Sequence, residues 1–207
     1  IHSIMAEFDL PFRFAEEIER DAETIEEGIT HEEIKRRRDF REITTFTIDP
    51  EDAKDFDDAL SFKKLDNGHY EIGVHIADVT HYVQPNSILE KEAFERATSV
   101  YLVDRTIPML PEVLSNDLCS LNPHTDRLAF SALFEMDEEG NVHDRWFGKT
   151  LIYSDHRFTY EDAQESINTA TGEHAEDLTL LNEISKKLRD KRFQEGAVDF
   201  HDQEVKF

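Results

Sequence analysis

Between Asp49 and Asp58 the chain sets six acids and one lysine in ten residues, directly after the strand-like run Ile-Thr-Thr-Phe-Thr-Ile from Ile43 to Ile48. Asp49, Asp55, Asp57 and Asp58 repel one another in any fold that gathers them, so such a fold needs a compensating cation. Hard carboxylate oxygens suit Mg²⁺ or Mn²⁺. Phosphodiester hydrolysis has a matching need, because divalent ions activate water and neutralise charge on the attacking and leaving oxygens. A solvated acidic loop is the plain alternative. Other acidic motifs fit poorly. An EF-hand loop counted from Asp49 would place Lys54 where Gly is required and Leu60 where Glu belongs. A phosphotransferase-type Asp-x-Asp would end a buried strand, yet Asp55-Phe-Asp57 follows the polar Asp52-Ala-Lys54.

The whole chain is acidic too. Its 207 residues carry 47 Asp and Glu against 23 Lys and Arg, a formal charge of −24. Phosphates and anionic membranes are repelled at long range by such a surface, which excludes nucleic-acid capture by overall attraction. A 38% hydrophobic and 10% aromatic composition nevertheless argues for a packed core rather than disorder. At about 150 residues per domain the length predicts one domain, or one with a small appendage. The single Cys119 excludes an internal disulfide and a cysteine-based zinc site. No apolar run approaches the roughly 18 residues that span a bilayer. The start has no basic region followed by an apolar stretch, so it is not a secretory signal, and cytoplasm is the default compartment. Opening on Ile1 rather than Met, the chain reads as a fragment.

Periodicity predicts an α+β fold with a mostly antiparallel sheet and helices around it. Residues 16–27 read as a solvated acidic helix with apolar Phe14, Ile18 and Ile25, and Lys35–Arg38, the only dense basic run, reads as the end of a surface helix, with a phosphate- or domain-contacting patch as the alternative. Tyr70–Ala77 alternates, with Ile72, Val74 and Ile76 on one face. Ser87-Ile-Leu-Glu90 is a capping box opening a helix that carries Leu89, Ala93, Phe94 and Ala97 at helical spacing. Ser99–Val103 is a short strand, and Ile107–Pro111 is extended because each residue before Pro avoids the helical region. Leu128–Met136 and Val142–Tyr153 form a hairpin around Gly140. Thr159-Tyr-Glu-Asp162 caps another helix, and Leu178, Leu181, Ile184 and Leu188 stripe a long one ending near Gly196.

Three ordered blocks carry a resemblance. Asp49-x5-Asp55-x-Asp57-Asp58-Ala, Val74-His-Ile-Ala-Asp78-Val, and Ile107-Pro-Met-Leu-Pro-Glu-Val-Leu-Ser-Asn-Asp-Leu-Cys-Ser-Leu121 together resemble the catalytic domain of the ribonuclease II/ribonuclease R family. Val74–Val83 and Thr98–Pro111 are more similar to ribonuclease R than to ribonuclease II. The likeness runs from about Ile43 to Phe207, including Arg189–Phe200, and leaves residues 1–40 as a helical lead-in to a catalytic segment at 41–207. It implies a Mg²⁺-dependent 3′-to-5′ exoribonuclease releasing nucleoside 5′-monophosphates from single-stranded RNA. Asp49 and Asp58 match family metal ligands, Asp55 a further acid beside the metal, and Asp57 the carboxylate most directly tied to catalysis. Tyr101 matches the aromatic that stacks on the terminal base, and Tyr160 a second Tyr near the RNA 3′ end; an aromatic face accepts any base.

The family pattern also includes cold-shock-type OB domains before this domain and an S1 domain after it, neither of which is visible in the 207 residues. It further includes a later Ser-Pro-Ile-Arg-Arg-Tyr motif whose Arg assists at the scissile phosphate. A second reading therefore stands beside the exoribonuclease: a non-catalytic RNA- or protein-interaction module that keeps the acidic metal site. Without the resemblance, Tyr101 in a strand reads as core. His75, Asp78 and His81 do not read as a metal set, because two His about 20 Å apart in an extended segment, at ~3.3 Å per residue, cannot share an ion; Asp78 reads as a structural hydrogen-bonding group.

Overall fold

The structure is a computed structural model describing residues 2–11, 13–26 and 28–198. Phe200, where the Arg189–Phe200 likeness ends, lies outside the described residues. From the N-terminus, helices α1 (His2–Glu7), α2 (Glu16–Glu23) and α3 (His31–Arg36) precede strands β1 (Arg38–Asp39), β2 (Thr45–Asp49), β3 (Asp58–Lys64) and β4 (Tyr70–Ala77). Helices α4 (Val79–Tyr82) and α5 (Ile88–Arg96) lead to a small hairpin, β5 (Val100–Tyr101) and β6 (Thr106–Ile107), and then a π-helical turn at Leu114–Leu118. The long hairpin β7 (Asp126–Met136) and β8 (Val142–Tyr153) follows, then β9 (His156–Thr159), α6 (Tyr160–Thr169) and α7 (Ala175–Gln194).

Seven strands form one sheet in the order β1-β8-β7-β4-β3-β2-β9. Its inner pairs are antiparallel and its two edge pairs, β1 with β8 and β2 with β9, are parallel. This is the α+β, mostly antiparallel arrangement that the periodicity predicts. Local chemistry sets the ends of the elements. Ser87 and Thr159 side chains accept from the backbone N–H of Glu90 and Asp162 at 3.0 Å each, satisfying donors that a helix start leaves open. Gly140 turns the β7–β8 hairpin at φ +79°, a conformation that costs glycine little.

The two sheet faces are covered unequally. One face sends Ala59, Ala77, Ala129, Leu133 and Ile152 into the main core, against Ile18, Ala22, Leu89, Leu114 and Leu118 from the helices and connectors. Each such large apolar side chain contributes about 1.5–3 kcal/mol on burial. The opposite face meets α6 and α7: Phe62, Tyr70, Ile72 and Met136 pack on Ile184, while Phe46 and Phe158 pack on Ala163 and Leu178.

The shared face on β4 holds, and two other expectations change. Ile72, Val74 and Ile76 share a face, but α7 covers only its Ile72 end, and Ile76 is 49% exposed; the fully covered set on β4 is Gly73, His75 and Ala77. Phe94 lies on the outer side of α5 at 84% exposed, because Leu89 supplies that helix's buried contact. The basic run is only partly a surface helix end. Lys35 and Arg36 occupy the last turn of α3, but Arg37 is buried. It pairs with Asp78 at 2.6 Å and Glu33 at 2.8 Å, and donates to the carbonyls of Ala129 and Thr150.

Candidate active site

The acidic loop joins two neighbouring antiparallel strands. Asp49 ends β2 and Asp58 begins β3, so residues 50–57 must return the chain at one end of the sheet. Phe56 is the loop's anchor: its ring is buried in the main core while Asp57 and Asp58, which follow it, are exposed. Its backbone N–H donates to Ser120 Oγ at 2.9 Å, and its carbonyl accepts from Leu121 N–H at 2.8 Å. The Asp57 carbonyl accepts from Ala77 N–H at 3.0 Å. The late half of the loop is thus stapled to β4 and to the Ser120–Leu121 segment.

The four carboxylates of this loop interact electrostatically. Burial pushes the Asp49 carboxyl up from the ordinary carboxylate range, and repulsion from Asp58 and Asp55 adds to it. Asp57 is raised too: although the residue is exposed overall, desolvation of its carboxyl by the surrounding loop comes first, with Asp55, Asp58 and Asp49 adding repulsion in that order. The Thr47 hydroxyl beside Asp49 favours the ionised carboxylate, but no hydrogen bond of acceptable geometry reaches Asp49 Oδ2 or Thr47 Oγ1, and both atoms are buried. An acceptor left in that state costs about 1–3 kcal/mol. Hard oxygens, mutual repulsion and an orphaned buried carboxylate oxygen form a donor set chemically suited to Mg²⁺. Among the described residues no group of three or more His, Cys, Asp or Glu converges closely enough to hold an ion without adjustment. The carboxylates are neighbours, and their spacing is open.

Both sequence-identified tyrosines lie beside the loop. Tyr101 sits on the small β5–β6 hairpin, 65% exposed, and its hydroxyl donates to Asp55 Oδ2 at 2.8 Å. That hydrogen bond, more than burial, pushes the phenol up to about 12. The core placement expected of a lone strand aromatic does not hold, because a two-residue hairpin outside the main sheet gives the ring nothing to pack under. Tyr160 is the first residue of α6 and 57% exposed. Asp49 pairs with Thr159 in the parallel β2–β9 register, which sets Tyr160 one residue beyond the carboxylate's own partner.

Two supports of the loop escape sequence reasoning. Ser120 belongs to the block that carried the resemblance, but nothing local marks its hydroxyl as an acceptor for Phe56. Arg157 on β9 donates from Nη2 to the carbonyls of Pro50 at 2.6 Å and Glu51 at 2.9 Å. No spacing rule finds a partner more than a hundred residues away.

The neighbouring polar cluster is structural. Burial alone would raise the Asp78 carboxyl, and hydrogen bonds from Thr80, Arg37 and Lys149 overcome that to hold it below the usual range. His75 is buried with Nδ1 2.6 Å from Ser131 Oγ, and His81 on α4 has Nδ1 3.8 Å from Glu33.

Comparison with known proteins shows the family to which the chain belongs. Residues 37–207 match the RNB domain. DIS3-like exonuclease 2 of Schizosaccharomyces pombe is 51% identical over an alignment of 195 residues that covers 86% of this chain and 21% of that protein. Ribonuclease R 1 of Lactococcus lactis is 44% identical over an alignment of 209 positions that covers 98% of this chain and 26% of that protein. The chain thus spans about a fifth to a quarter of these relatives' lengths. The solved structure of Mycoplasma genitalium RNase R in complex with ribose methylated single-stranded RNA superimposes with a TM-score of 0.90 and 29% identity, covering 99% of this chain and 33% of that one. The aspartate loop, the sheet that carries it and these likenesses agree, and the chain belongs to the RNB-domain family of ribonuclease R and DIS3-like exonucleases.

Proposed function

We propose that this chain supplies the carboxylate side of the active site of a 3′-to-5′ exoribonuclease that hydrolyses single-stranded RNA to nucleoside 5′-monophosphates in a Mg²⁺-dependent reaction. The observation that carries this reading is the loop itself: four mutually repelling aspartates, one with an orphaned oxygen, with two exposed tyrosines beside them. Asp49, Asp55 and Asp58 would hold Mg²⁺, or Mn²⁺ in its place, with Asp57 next to the reacting water. When bound, the ion lowers the pKa of water and neutralises charge on the phosphate oxygens. Asp57 accepts the proton as the water oxygen attacks the terminal phosphorus. The bond from phosphorus to the 3′ oxygen breaks, that oxygen takes up a proton, and the end nucleotide leaves with a 5′-phosphate.

Tyr101 and Tyr160 offer faces to the last bases, which favours any sequence that is unpaired. Moving Asp55 toward a metal would release the Tyr101 hydroxyl, so ring placement and metal binding are linked at one hydrogen bond. RNA capture by a surface of −24 requires attraction from elsewhere, which OB-type and S1 domains of a longer protein would provide. Such an RNA-degrading protein works in the cytoplasm, and no helix among the described residues is long and apolar enough to cross a membrane.

The open carboxylate spacing favours one other reading, a module that binds RNA or protein without cutting. An assay on 5′-labelled single-stranded RNA separates the two. Expected is Mg²⁺-dependent stepwise shortening by a chain extended beyond residue 207, lost in EDTA. Absence of shortening, with RNA still bound, would replace the hydrolytic reading by the module.

A further inference from the structure

Arg157 on β9 reaches the acidic loop through the loop's backbone, and its charge also acts on Asp49, favouring the ionised carboxylate. It contacts two backbone carbonyls and a ring: Nη2 donates to Pro50 and Glu51, and its guanidinium carbon lies 5.4 Å from the centroid of the Phe56 ring. Nε is buried without a partner, so the group is held by this geometry and not by solvent. The β2–β9 register sets Arg157 opposite Thr47, two residues before Asp49. One planar group therefore touches the loop just after Asp49 and again at Phe56, between Asp55 and Asp57. The Ser120, Leu121 and Ala77 hydrogen bonds fix only the late half of the loop. In the early half, Ala53 N–H donates to the Pro50 carbonyl at 3.1 Å, and Arg157 ties that carbonyl and the Glu51 carbonyl to β9.

A cation in this place is costly for a site that is to bind another cation, since like charges repel. Its presence makes sense if shape matters more than charge. A guanidinium forks to two carbonyls and stacks on an aromatic face at once, which an ammonium cannot do. We infer that Arg157 is a positioning residue: it sets the separation between Asp49 and the Asp55–Asp58 turn from which a divalent cation is captured. This rests on the metal-dependent reading above, and it makes two opposed predictions. If Arg157 acted through charge alone, Arg157→Lys would match the wild type, and Arg157→Met would bind cations more tightly. If it positions the loop, both substitutions weaken binding.

The test is a Mn²⁺ titration followed by electron paramagnetic resonance on the 207-residue chain, with hydrogen exchange measured on the same samples. Expected is about a tenfold or greater loss of Mn²⁺ affinity in both Arg157→Lys and Arg157→Met. Amides of residues 51–57 should exchange faster in both variants without metal, while those of Tyr70–Ala77 keep wild-type protection, which shows that the fold survives. Arg157→Lys within about twofold of wild type, or tighter binding by Arg157→Met, overturns the inference and leaves the metal-dependent reading standing. No Mn²⁺ binding by the wild type overturns both.

Discussion

Tyr101 and His75 show how single side chains tune this molecule. Tyr101 is tied by its hydroxyl to Asp55, while its ring is free to stack. Tyr101→Phe should keep RNA affinity and leave metal affinity equal or improved, because Asp55 loses a competing donor. Tyr101→Ala should weaken binding of a short single-stranded RNA by about 1–3 kcal/mol, the worth of one stacked base, in a fluorescence-anisotropy titration. His75 is held neutral by burial, its pKa pushed down to about 4 from 6.5. Between those values the unfolded chain takes a proton that the folded chain refuses. Stability from this group is complete above about pH 6.5 and is lost as pH falls toward 4, by up to about 3 kcal/mol. Asp49 and Asp57, with raised values, act in the opposite sense, since acid relieves their repulsion. Urea midpoints measured across this range should therefore fall less steeply, or even rise, in His75→Gln.

At the scale of elements, strands and helices were legible wherever periodicity and caps were strong. Ser87 and Thr159 cap helices, and the Gly140 hairpin joins two strands, as their spacing predicts. Register was not legible. It decides that β9 runs beside β2, which brings Arg157 and Tyr160 to the aspartates from more than a hundred residues away. It also decides which face of β4 is fully covered. There Gly73 lies opposite Ser61, and a Cβ on it would strike Ser61 Oγ and stand 2.6 Å from His75 Nε2. Gly73→Ala should cost about 1–3 kcal/mol in denaturant unfolding, an overpacking penalty that an exposed strand position would not show. The four aspartates were readable as a cluster because they lie within ten residues; Arg37 was not readable as an anchor, because its partner Asp78 is distant in the chain.

Across the whole molecule, two surface features follow from uneven coverage. The row Asp58, Ile76, Phe130 and Lys149 crosses the sheet from the acidic loop, and Ile76, Phe130 and Phe147 remain 49%, 49% and 56% exposed beyond the reach of α7. An apolar patch of this kind marks a contact surface or an association hazard. The 207-residue chain should bind the dye ANS at neutral pH, and Phe130→Ser with Phe147→Ser should reduce that signal without lowering the unfolding midpoint. Charge is likewise uneven: acids gather in α2 and the aspartate loop, while Lys186, Lys187, Arg189, Lys191 and Arg192 lie together on α7, a second basic segment besides residues 35–38. A net charge of −24 therefore describes no single surface of this protein.

The aspartate loop as a hydrolytic centre is tested most directly by Asp57→Asn in a chain extended beyond residue 207. Turnover of single-stranded RNA and RNA affinity would be measured side by side in Mg²⁺. Loss of mononucleotide release by roughly 10²-fold or more, with affinity nearly unchanged, is the predicted result. Wild-type turnover in Asp57→Asn would contradict it.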